Sequence, residues 1–217
     1  MNGIELKSKR ELKSQATTEN IIRTTKMLLK EYGYDYMTIQ NICTIAKVSK
    51  GTFYHYFDSK DGLLNSMTMD DYNKYKKKNA ARLQKMNSLE KLFDIYKWYV
   101  GSFAENGVEF MIGYFSMKNA ALKNRRTAPV FETQGIMESE ADSVAAISVS
   151  TYLFVKGAQK EKLLSNKIDA LDLYYELEVI MFGVVFEWCQ SNGGFDIQTR
   201  IEELIKKHLS MYLMWEM

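Results

Sequence analysis

Proline occurs once in the 217 residues and glycine only 12 times. Few positions therefore interrupt helical hydrogen bonding, and long helices can form. Cysteine occurs only twice: Cys43 and Cys189 lie far apart, each in an apolar helical pattern, with no Cys-x-x-Cys or other metal-ligand spacing. We expect two buried free thiols in a reducing cytoplasm, and neither a disulfide nor a metal site.

The sequence also lacks a stretch that is apolar for long enough to cross a bilayer. Its longest apolar run, residues 179–186, falls far short of the roughly 20 residues that a membrane helix needs. The N-terminus has no apolar segment of a signal peptide. Histidine occurs only as His55 and His208, and no phosphate-binding loop, nucleophile elbow or metal cluster is present. We therefore expect no enzyme, no cofactor and no membrane partner.

What is present is ordinary for a globular protein: 46% of the residues are hydrophobic and 26% are charged. The length suits one or two domains with a sizeable core. The net charge of +2 is too small to indicate a partner, but it is unevenly distributed. Residues 1–60 hold ten basic and six acidic residues, which leaves 19 basic and 21 acidic residues for the rest. The basic excess near the N-terminus weakly favours a polyanionic partner there.

Residues 38–57 have the pattern of two short helices joined by a tight turn. Thr38 and Ser49 each stand where a side-chain oxygen can accept a hydrogen bond from the first helical turn. An apolar residue precedes each cap and another follows four positions after it, the spacing of a hydrophobic staple. Only Lys47 and Val48 remain between the helices, so the turn has the length of a helix-turn-helix.

The two sides of this motif differ in chemistry. The apolar side consists of Ile39, Ile42, Cys43, Ala46, Val48, Phe53 and Phe57. The other side offers a cation, small polar groups and three aromatic rings with polar tips: Lys50, Gly51, Thr52, Tyr54, His55 and Tyr56. Such groups bind phosphates and base edges in a DNA major groove. The alternative is a packed helical hairpin whose aromatic residues form a subunit contact.

Residues 17–67 closely resemble the DNA-binding domain of the tetracycline-repressor (TetR) family of transcriptional regulators. The resemblance rests on the run 31–39 (Glu-Tyr-Gly-Tyr-Asp-Tyr-Met-Thr-Ile), the run 46–57 (Ala-Lys-Val-Ser-Lys-Gly-Thr-Phe-Tyr-His-Tyr-Phe), and on Ile42, Ser59, Lys60, Leu63 and Leu64. One position departs from the family pattern, because Lys47 stands where the turn usually has glycine. A left-handed conformation at such a residue costs about 1 kcal/mol, which strains the turn slightly.

The resemblance implies an all-α fold, with a three-helix DNA-binding domain at residues 16–65 and a helical ligand-binding and dimerisation domain at residues 66–217. It also implies which positions contact double-stranded DNA, and these are Thr38, Ser49, Lys50, Gly51, Thr52, Tyr54, His55, Tyr56 and Lys60. Lys50 and Thr52 are expected to carry much of the base reading. A lysine can pair with guanine O6 and N7, and a threonine methyl can meet a thymine methyl.

Residues 1–15 are polar and are predicted to form a flexible basic arm ahead of a first helix at residues 18–32, which Gly33 ends. Two alternatives stay open for this arm: a frayed terminus, or a contact with the DNA backbone or minor groove. A second basic run, residues 74–78, lies in a fourth helix that starts after Ser59. Such a run is usually a solvated face, and direct DNA contact is the alternative.

The rest of the sequence has helical periodicity, with helices predicted at residues 89–103, 109–122, 138–164, 169–191 and 197–213. The segment 88–165 is rich in Met, Phe and Tyr, which can line an adaptable apolar ligand pocket. The candidate pocket residues are Phe103, Phe110, Met111, Tyr114, Phe115, Met117, Phe131, Met137, Tyr152 and Phe154. For each of them, the alternative is an ordinary core position.

The predicted helix at residues 169–191 is apolar on more than one side, and a helix of this kind needs a second covering surface. The resemblance implies that this helix and the last one pair with their copies in a homodimer. The residues assigned to that interface are Leu177, Ile180, Met181, Val184, Val185, Trp188, Ile201, Leu204, Ile205, His208 and Tyr212. The alternative is a core that lies wholly within one chain.

These features together predict a cytoplasmic, sequence-specific transcriptional regulator, most often a repressor in the family that the chain resembles. A small, largely apolar ligand in the second domain would release the protein from a palindromic operator. The alternative is a protein of the same fold that binds DNA but acts mainly through a protein partner.

Overall fold

A computed structural model describes the backbone of residues 8–123 and 145–214, and the side chains of residues 8–116 and 147–214. Within these ranges the chain forms nine helices and no β-sheet, which confirms the all-α fold. The helices are α1 (Lys9–Tyr36), α2 (Ile39–Ala46), α3 (Lys50–Tyr56), α4 (Lys60–Leu83), α5 (Ser88–Asn106), α6 (Val108–Lys123), α7 (Ala145–Lys160), α8 (Ala170–Gln190) and α9 (Ile197–Leu209). None of these described helices has the length and apolarity that a bilayer crossing requires. The chain divides into two compact units between Met67 and Thr68.

Helix α1 begins at Lys9, so the flexible arm predicted for residues 1–15 is corrected to a helix from this residue onward. Ser8 and Glu11 form a capping box. The Glu11 N–H donates to Ser8 Oγ (3.2 Å), and the Ser8 N–H donates to the Glu11 carboxylate (2.6 Å). Residues 8–20 contain no buried side chain. The sequence there has no apolar periodicity, the signal by which a helix is normally recognised.

The first unit packs α1, α2 and α3 around an apolar core. Its buried side chains include Ile21, Leu28, Leu29, Met37, Ile42, Phe53, Phe57, Leu63 and Leu64. Gly33 interrupts α1 near its end with a φ of 80°, a left-handed value that glycine adopts without steric cost. The predicted break in the helix at this glycine is confirmed.

The second unit is built around α5, since α6, α7, α8 and α9 all pack against it. Helix α8 is covered on several sides by its own chain. The core contains Leu92, Tyr96, Val100 and Phe103 from α5, Leu173, Leu177, Met181 and Val185 from α8, and Ile201 and Ile205 from α9. Burial of these side chains is the main favourable contribution to the stability of the unit.

Two helices of the second unit end four residues before their predicted ends. Helix α7 stops at Lys160, because Lys162 is left-handed with a φ of 59° and closes the helix. Helix α9 stops at Leu209, and the segment after it pairs with the loop that follows α7. There the Ser165 N–H donates to the Tyr212 carbonyl (2.7 Å). Long-range pairing of this kind has no signal in local sequence.

Gly157 of α7 lies against the start of α5, where an added Cβ would stand 2.3 Å from Ser88 Oγ. Ser88 is held in place because its hydroxyl and its N–H both donate to the Glu161 carboxylate (2.6 and 2.9 Å). We expect Gly157→Ala to lower the free energy of unfolding by about 1–3 kcal/mol, as overpacking does. Urea denaturation would measure this loss.

The matched control is Gly183→Ala in α8, where an added Cβ meets no atom within 4 Å. This variant should be at least as stable as the wild type, because alanine is the better helix former. An unchanged urea midpoint for Gly157→Ala would contradict the close contact between α7 and α5.

Candidate nucleic-acid interface

Two capping side chains fix the starts of α2 and α3. Thr38 Oγ1 accepts a hydrogen bond from the Asn41 N–H (3.1 Å), and Ser49 Oγ accepts one from the Thr52 N–H (2.9 Å). Both predicted caps are confirmed. The Thr52 hydroxyl also lies 2.9 Å from Ser49 Oγ, so these two hydroxyls hold each other at the start of α3.

Lys47 makes the turn between α2 and α3 in the left-handed conformation, with φ 55° and ψ 44°. Its N–H and that of Val48 both donate to the Cys43 carbonyl, which closes α2. The departure from glycine at this turn therefore carries the expected strain of about 1 kcal/mol. Beside the turn, Asn20 Nδ2 donates to the Ala46 carbonyl (2.8 Å) and ties α1 to the end of α2.

Helix α3 is held by one face and exposes the other. Phe53 is fully buried and Phe57 nearly so, with ring centres 5.6 Å apart. Of the predicted DNA-contacting residues in this helix, Lys50, Gly51, Tyr54 and His55 are exposed, and Thr52 and Tyr56 are half-buried. The open face thus combines an ammonium group, an imidazole and phenol hydroxyls. These groups can donate hydrogen bonds to phosphate oxygens and to base acceptors.

Lys60, which the sequence predicts to contact phosphate, has its ammonium group engaged inside the first unit. Its Nζ donates to the Tyr34 carbonyl (3.2 Å) and lies 3.5 Å from the centre of the Tyr34 ring. Burial lowers the pKa of Lys60, an effect that Asp35 and Asp61 oppose. Lys60 therefore holds the start of α4 against the end of α1. Sequence reasoning missed this role because no local spacing links positions 34 and 60.

The predicted pocket residues with described side chains lie mostly in the aromatic core of the second unit. Phe103, Phe110, Met111 and Tyr114 are buried, and Phe115, Tyr152 and Phe154 are half-buried. The side chains of Met117, Phe131 and Met137 lie outside the described residues. The ring centres of Phe103 and Tyr114 are 5.9 Å apart. The four buried residues are thus core positions here, as the alternative reading of the sequence allowed.

This aromatic core contains polar groups that sequence reasoning missed. The Tyr96 hydroxyl donates to the Glu178 carboxylate (3.1 Å). Burial raises the pKa of Tyr96 and of Tyr99, and the negative charge of Glu178 adds to both effects. The sequence signal was the pair of carboxylates, Glu176 and Glu178, in a largely apolar helix. A half-buried carboxylate beside phenols can orient a polar group of a ligand.

The predicted dimer interface is corrected by the burial of its residues within one chain. Leu177, Met181, Val184, Val185, Trp188, Ile201 and Ile205 are buried in the core, so a partner subunit cannot cover them. Ile180, Leu204, His208 and Tyr212 are half-buried. His208 Nε2 lies 2.8 Å from a Glu176 carboxylate oxygen, to which the Tyr212 hydroxyl also donates (3.2 Å). The apolar periodicity of α8 was correct, but it could not show which face the chain itself covers.

A different face of α8 remains exposed. Val179 is 72% exposed and Phe186 is 55% exposed, and Gly183 lies between them on the same face at helical spacing. We call Val179, Gly183 and Phe186 the outer stripe of α8. An exposed apolar stripe of this kind marks a contact surface when it is contiguous.

The two cysteines are free thiols, as predicted, but only Cys43 is buried; Cys189 is half-buried. Burial raises the pKa of each thiol, so both are poor nucleophiles. Among the described residues, no group of three or more His, Cys, Asp or Glu side chains could hold a metal ion.

Residues 21–67 match the family model described as bacterial regulatory proteins, tetR family. This segment of the chain is therefore similar to the DNA-binding region of TetR-family regulators. Over 54 residues the chain is 44% identical to the uncharacterized HTH-type transcriptional regulator YuxN of Bacillus subtilis (strain 168), covering 25% of this chain and 19% of YuxN. Over 93 residues it is 28% identical to the HTH-type transcriptional repressor NemR of Escherichia coli (strain K12). That alignment covers 42% of this chain and 47% of NemR. The match thus spans less than half the length of either curated relative.

Solved structures extend the similarity of fold to nearly the whole chain. FadR of Thermus thermophilus, a TetR-family repressor in complex with lauroyl-CoA, matches with a TM-score of 0.63 at 19% identity, covering 92% of this chain and 97% of FadR. A transcriptional regulator from Saccharomonospora viridis in complex with choline also has a TM-score of 0.63, at 14% identity. It covers 93% of this chain, and the match spans 100% of that regulator. These likenesses confirm the fold, with a helix-turn-helix domain followed by a helical domain. The named relatives are transcriptional regulators and not enzymes.

Removing the Lys60 ammonium group should weaken the first unit. We expect Lys60→Met to lower the free energy of unfolding by about 1 kcal/mol, because both the hydrogen bond to the Tyr34 carbonyl and the contact with the Tyr34 ring are lost. Lys60→Arg is the control, since a guanidinium group can donate to a carbonyl and stack on a ring. Thermal unfolding would compare the variants, and equal stability of Lys60→Met and wild type would contradict the structural role.

Proposed function

We propose that this protein is a homodimeric, sequence-specific transcriptional repressor that leaves a palindromic operator when a small, largely apolar ligand binds its second unit. The observation that carries the proposal is the open face of α3. A helix of only seven residues is fixed by Ser49 at its start and by Phe53 beneath it, and it presents Lys50, Tyr54 and His55 to solvent. A rigid helix with such a face fits a DNA major groove.

The residues of α3 divide by the kind of DNA contact that they can make. Lys50 stands at the start of the helix and is exposed, which suits pairing with guanine O6 and N7. The Thr52 hydroxyl is engaged with Ser49, so its methyl group remains for contact with a thymine methyl. The Tyr54 hydroxyl suits a phosphate oxygen, a contact that carries no sequence information.

A palindromic operator requires two helix-turn-helix units, one from each protomer of a dimer. The outer stripe of α8 supports dimerisation. Two major-groove half-sites lie one helical turn apart, about 34 Å, so the two helix-turn-helix units must be held at a fixed separation. Val179 and Phe186 expose apolar surface that a second copy of α8 can cover. A two-fold axis along this stripe would place Val179 and Phe186 of one copy against the same surface of the other.

The second unit supports a largely apolar ligand. Its centre is aromatic, and two half-buried rings lie beside buried ones: Phe115 beside Tyr114 and Tyr152 beside Tyr174, with ring centres 6.3 Å apart in each pair. Relatives of the same fold are described in complex with lauroyl-CoA, with stearoyl-CoA and with choline, so the fold accommodates ligands of different chemistry. Glu178 and the surrounding tyrosines could orient the polar part of such a molecule.

The proposal is tested by fluorescence-anisotropy titration of the purified protein against DNA upstream of its own gene and against a scrambled duplex. We expect tight, salt-dependent binding that prefers the first duplex, with two protomers on each site. Equal, weak binding to both duplexes would contradict a specific regulator that acts on its own promoter. Retained specific binding with no release by any of a panel of apolar ligands would favour action through a protein partner.

Two substitutions in α3 separate base reading from phosphate contact. Lys50→Ala should weaken binding and change the preferred sequence, costing about 1–3 kcal/mol on the best site. Tyr54→Phe should weaken binding to a similar degree on all duplexes, because it removes only a phosphate contact. Competition with a randomised duplex library would measure both effects. An unchanged sequence preference in the Lys50 variant would contradict its role in base reading.

The outer stripe of α8 is tested by Val179→Glu, which introduces a charge on the proposed contact surface. We expect this variant to sediment as a monomer. It should lose affinity for a duplex with two half-sites, because a monomer carries only one helix-turn-helix. Leu153→Glu in α7 is the matched control, because Leu153 is 53% exposed and lies outside the stripe. A Val179→Glu variant that stays dimeric would contradict the proposed interface.

A further inference from the structure

The first part of α1 is a helix that the protein does not use for its own core. Residues 8–20 contain no buried side chain, and Ile21 is the first residue of α1 to enter the core. Even so, the segment has a complete capping box at Ser8 and Glu11. An isolated helix of this length is marginal in water, so its order comes from continuity with α1 and from this cap. The result is a projecting helix of about three turns.

The charges on this projecting helix are segregated. Lys9 and Lys13 are exposed and lie four residues apart, on one face of the helix. Glu11 lies two positions from each lysine, on the opposite face, where it caps the helix start. Glu19, the other carboxylate of the segment, lies six residues after Lys13 and off this face, where it accepts a hydrogen bond from Gln15 Nε2 (2.7 Å). The lysines therefore form a basic edge that neither carboxylate interrupts.

The basic edge lies on the same face of α1 as Asn20, the residue that contacts the helix-turn-helix. Asn20 lies seven residues after Lys13, which is two helical turns, so it falls on the same face of α1. Its side chain donates to the Ala46 carbonyl at the end of α2, next to the turn that leads into α3. Following this face from that turn toward the N-terminus, Lys13 comes after about 10 Å and Lys9 after about 16 Å.

From this placement we infer that residues 9–17 form a second DNA contact, in which Lys9 and Lys13 each bind a backbone phosphate outside the groove that α3 reads. This inference rests on the proposed function, because the orientation of the basic edge is defined relative to α3. The chemistry is that of ammonium groups on a polyanion, one negative charge for every 1.7 Å or so of duplex. The contact is independent of base sequence and adds to affinity rather than to specificity. Because the segment is a helix and not a loose arm, the two lysines reach DNA without a large ordering cost.

The test is the salt dependence of DNA binding by the double variant Lys9→Gln/Lys13→Gln, on promoter DNA and on a short duplex of arbitrary sequence. Each lost phosphate contact should lower the slope of log affinity against log salt by about 0.9, hence by about 1.8 for each bound protomer. Affinity should fall on both duplexes, and the ratio between them should stay the same. Thermal stability should not change, because neither lysine is buried.

The matched control is Lys26→Gln/Lys30→Gln, which removes the same charge from two exposed lysines on a different face of α1. A slope change no larger than that of the control would overturn the inference, as would an altered sequence preference. The variant Lys9→Arg/Lys13→Arg should bind like the wild type. Gln15→Pro keeps both lysines but breaks the helix behind them, so it should lose affinity as the double variant does. Wild-type affinity for Gln15→Pro would overturn the role of the helix.

These outcomes separate the two proposals. If the wild type binds both duplexes equally, the proposal of a specific regulator is contradicted. The role of Lys9 and Lys13 is then still decided by how log affinity for the arbitrary duplex changes with log salt. If it prefers its promoter and the double variant keeps the full slope, only the second DNA contact is lost. Binding to neither duplex would overturn both.

Discussion

The exposed face of α3 depends on the burial of Phe53. Helix α3 has seven residues, too few for a stable helix by its own hydrogen bonds, so its order must come from packing and capping. Phe53 supplies the packing, because its ring is completely buried in the core of the first unit. Ser49 supplies the cap at the start of the helix. With its inner side fixed in this way, α3 can leave polar and aromatic groups on its outer side.

The turn before α3 shows how strain is accommodated at this surface. Lys47 adopts a left-handed conformation that glycine would take without cost. The hydrogen bonds that close α2 onto the Cys43 carbonyl, together with the bond from Asn20 to the Ala46 carbonyl, hold the turn in this shape. A strained residue persists where its surroundings over-determine it. Here those surroundings come from α1 and α2, so the orientation of α3 depends on residues that need not touch DNA themselves.

Local features of the sequence predicted the local features of the structure. The caps at Thr38 and Ser49 and the division of α3 into two faces could be predicted, because each follows from side chains within a few positions of one another. The position of Lys60 could not be predicted, since its partner is 26 residues away. The start of α1 was missed for the opposite reason. A helix that buries nothing has no apolar period to reveal it.

The assignment of buried α8 residues to a dimer interface was wrong for a physical reason as well. Helix α8 is apolar on several sides, and hydrophobic periodicity alone does not say which side faces the chain's own core and which faces a partner. Leu177 and Trp188 lie on the inner side, whereas Val179 and Phe186 lie on the outer side. The assignment needs the other helices, because α7 and α9 pack most extensively against α8. Tertiary packing thus decides what the pattern leaves open.

The packing of the second unit sets a condition on any ligand that it binds. Phe103, Phe110, Met111 and Tyr114 are almost completely covered by protein atoms, so a ligand that touches them has to displace those atoms. The free energy of that displacement is subtracted from the affinity of the ligand. It is also the origin of the coupling, because a ligand shifts an equilibrium only by its different affinity for two arrangements. Since α5 packs against four other helices, an opening beside Phe103 cannot stay local to one helix. If the opened arrangement binds DNA less well, DNA must weaken the ligand by the same factor.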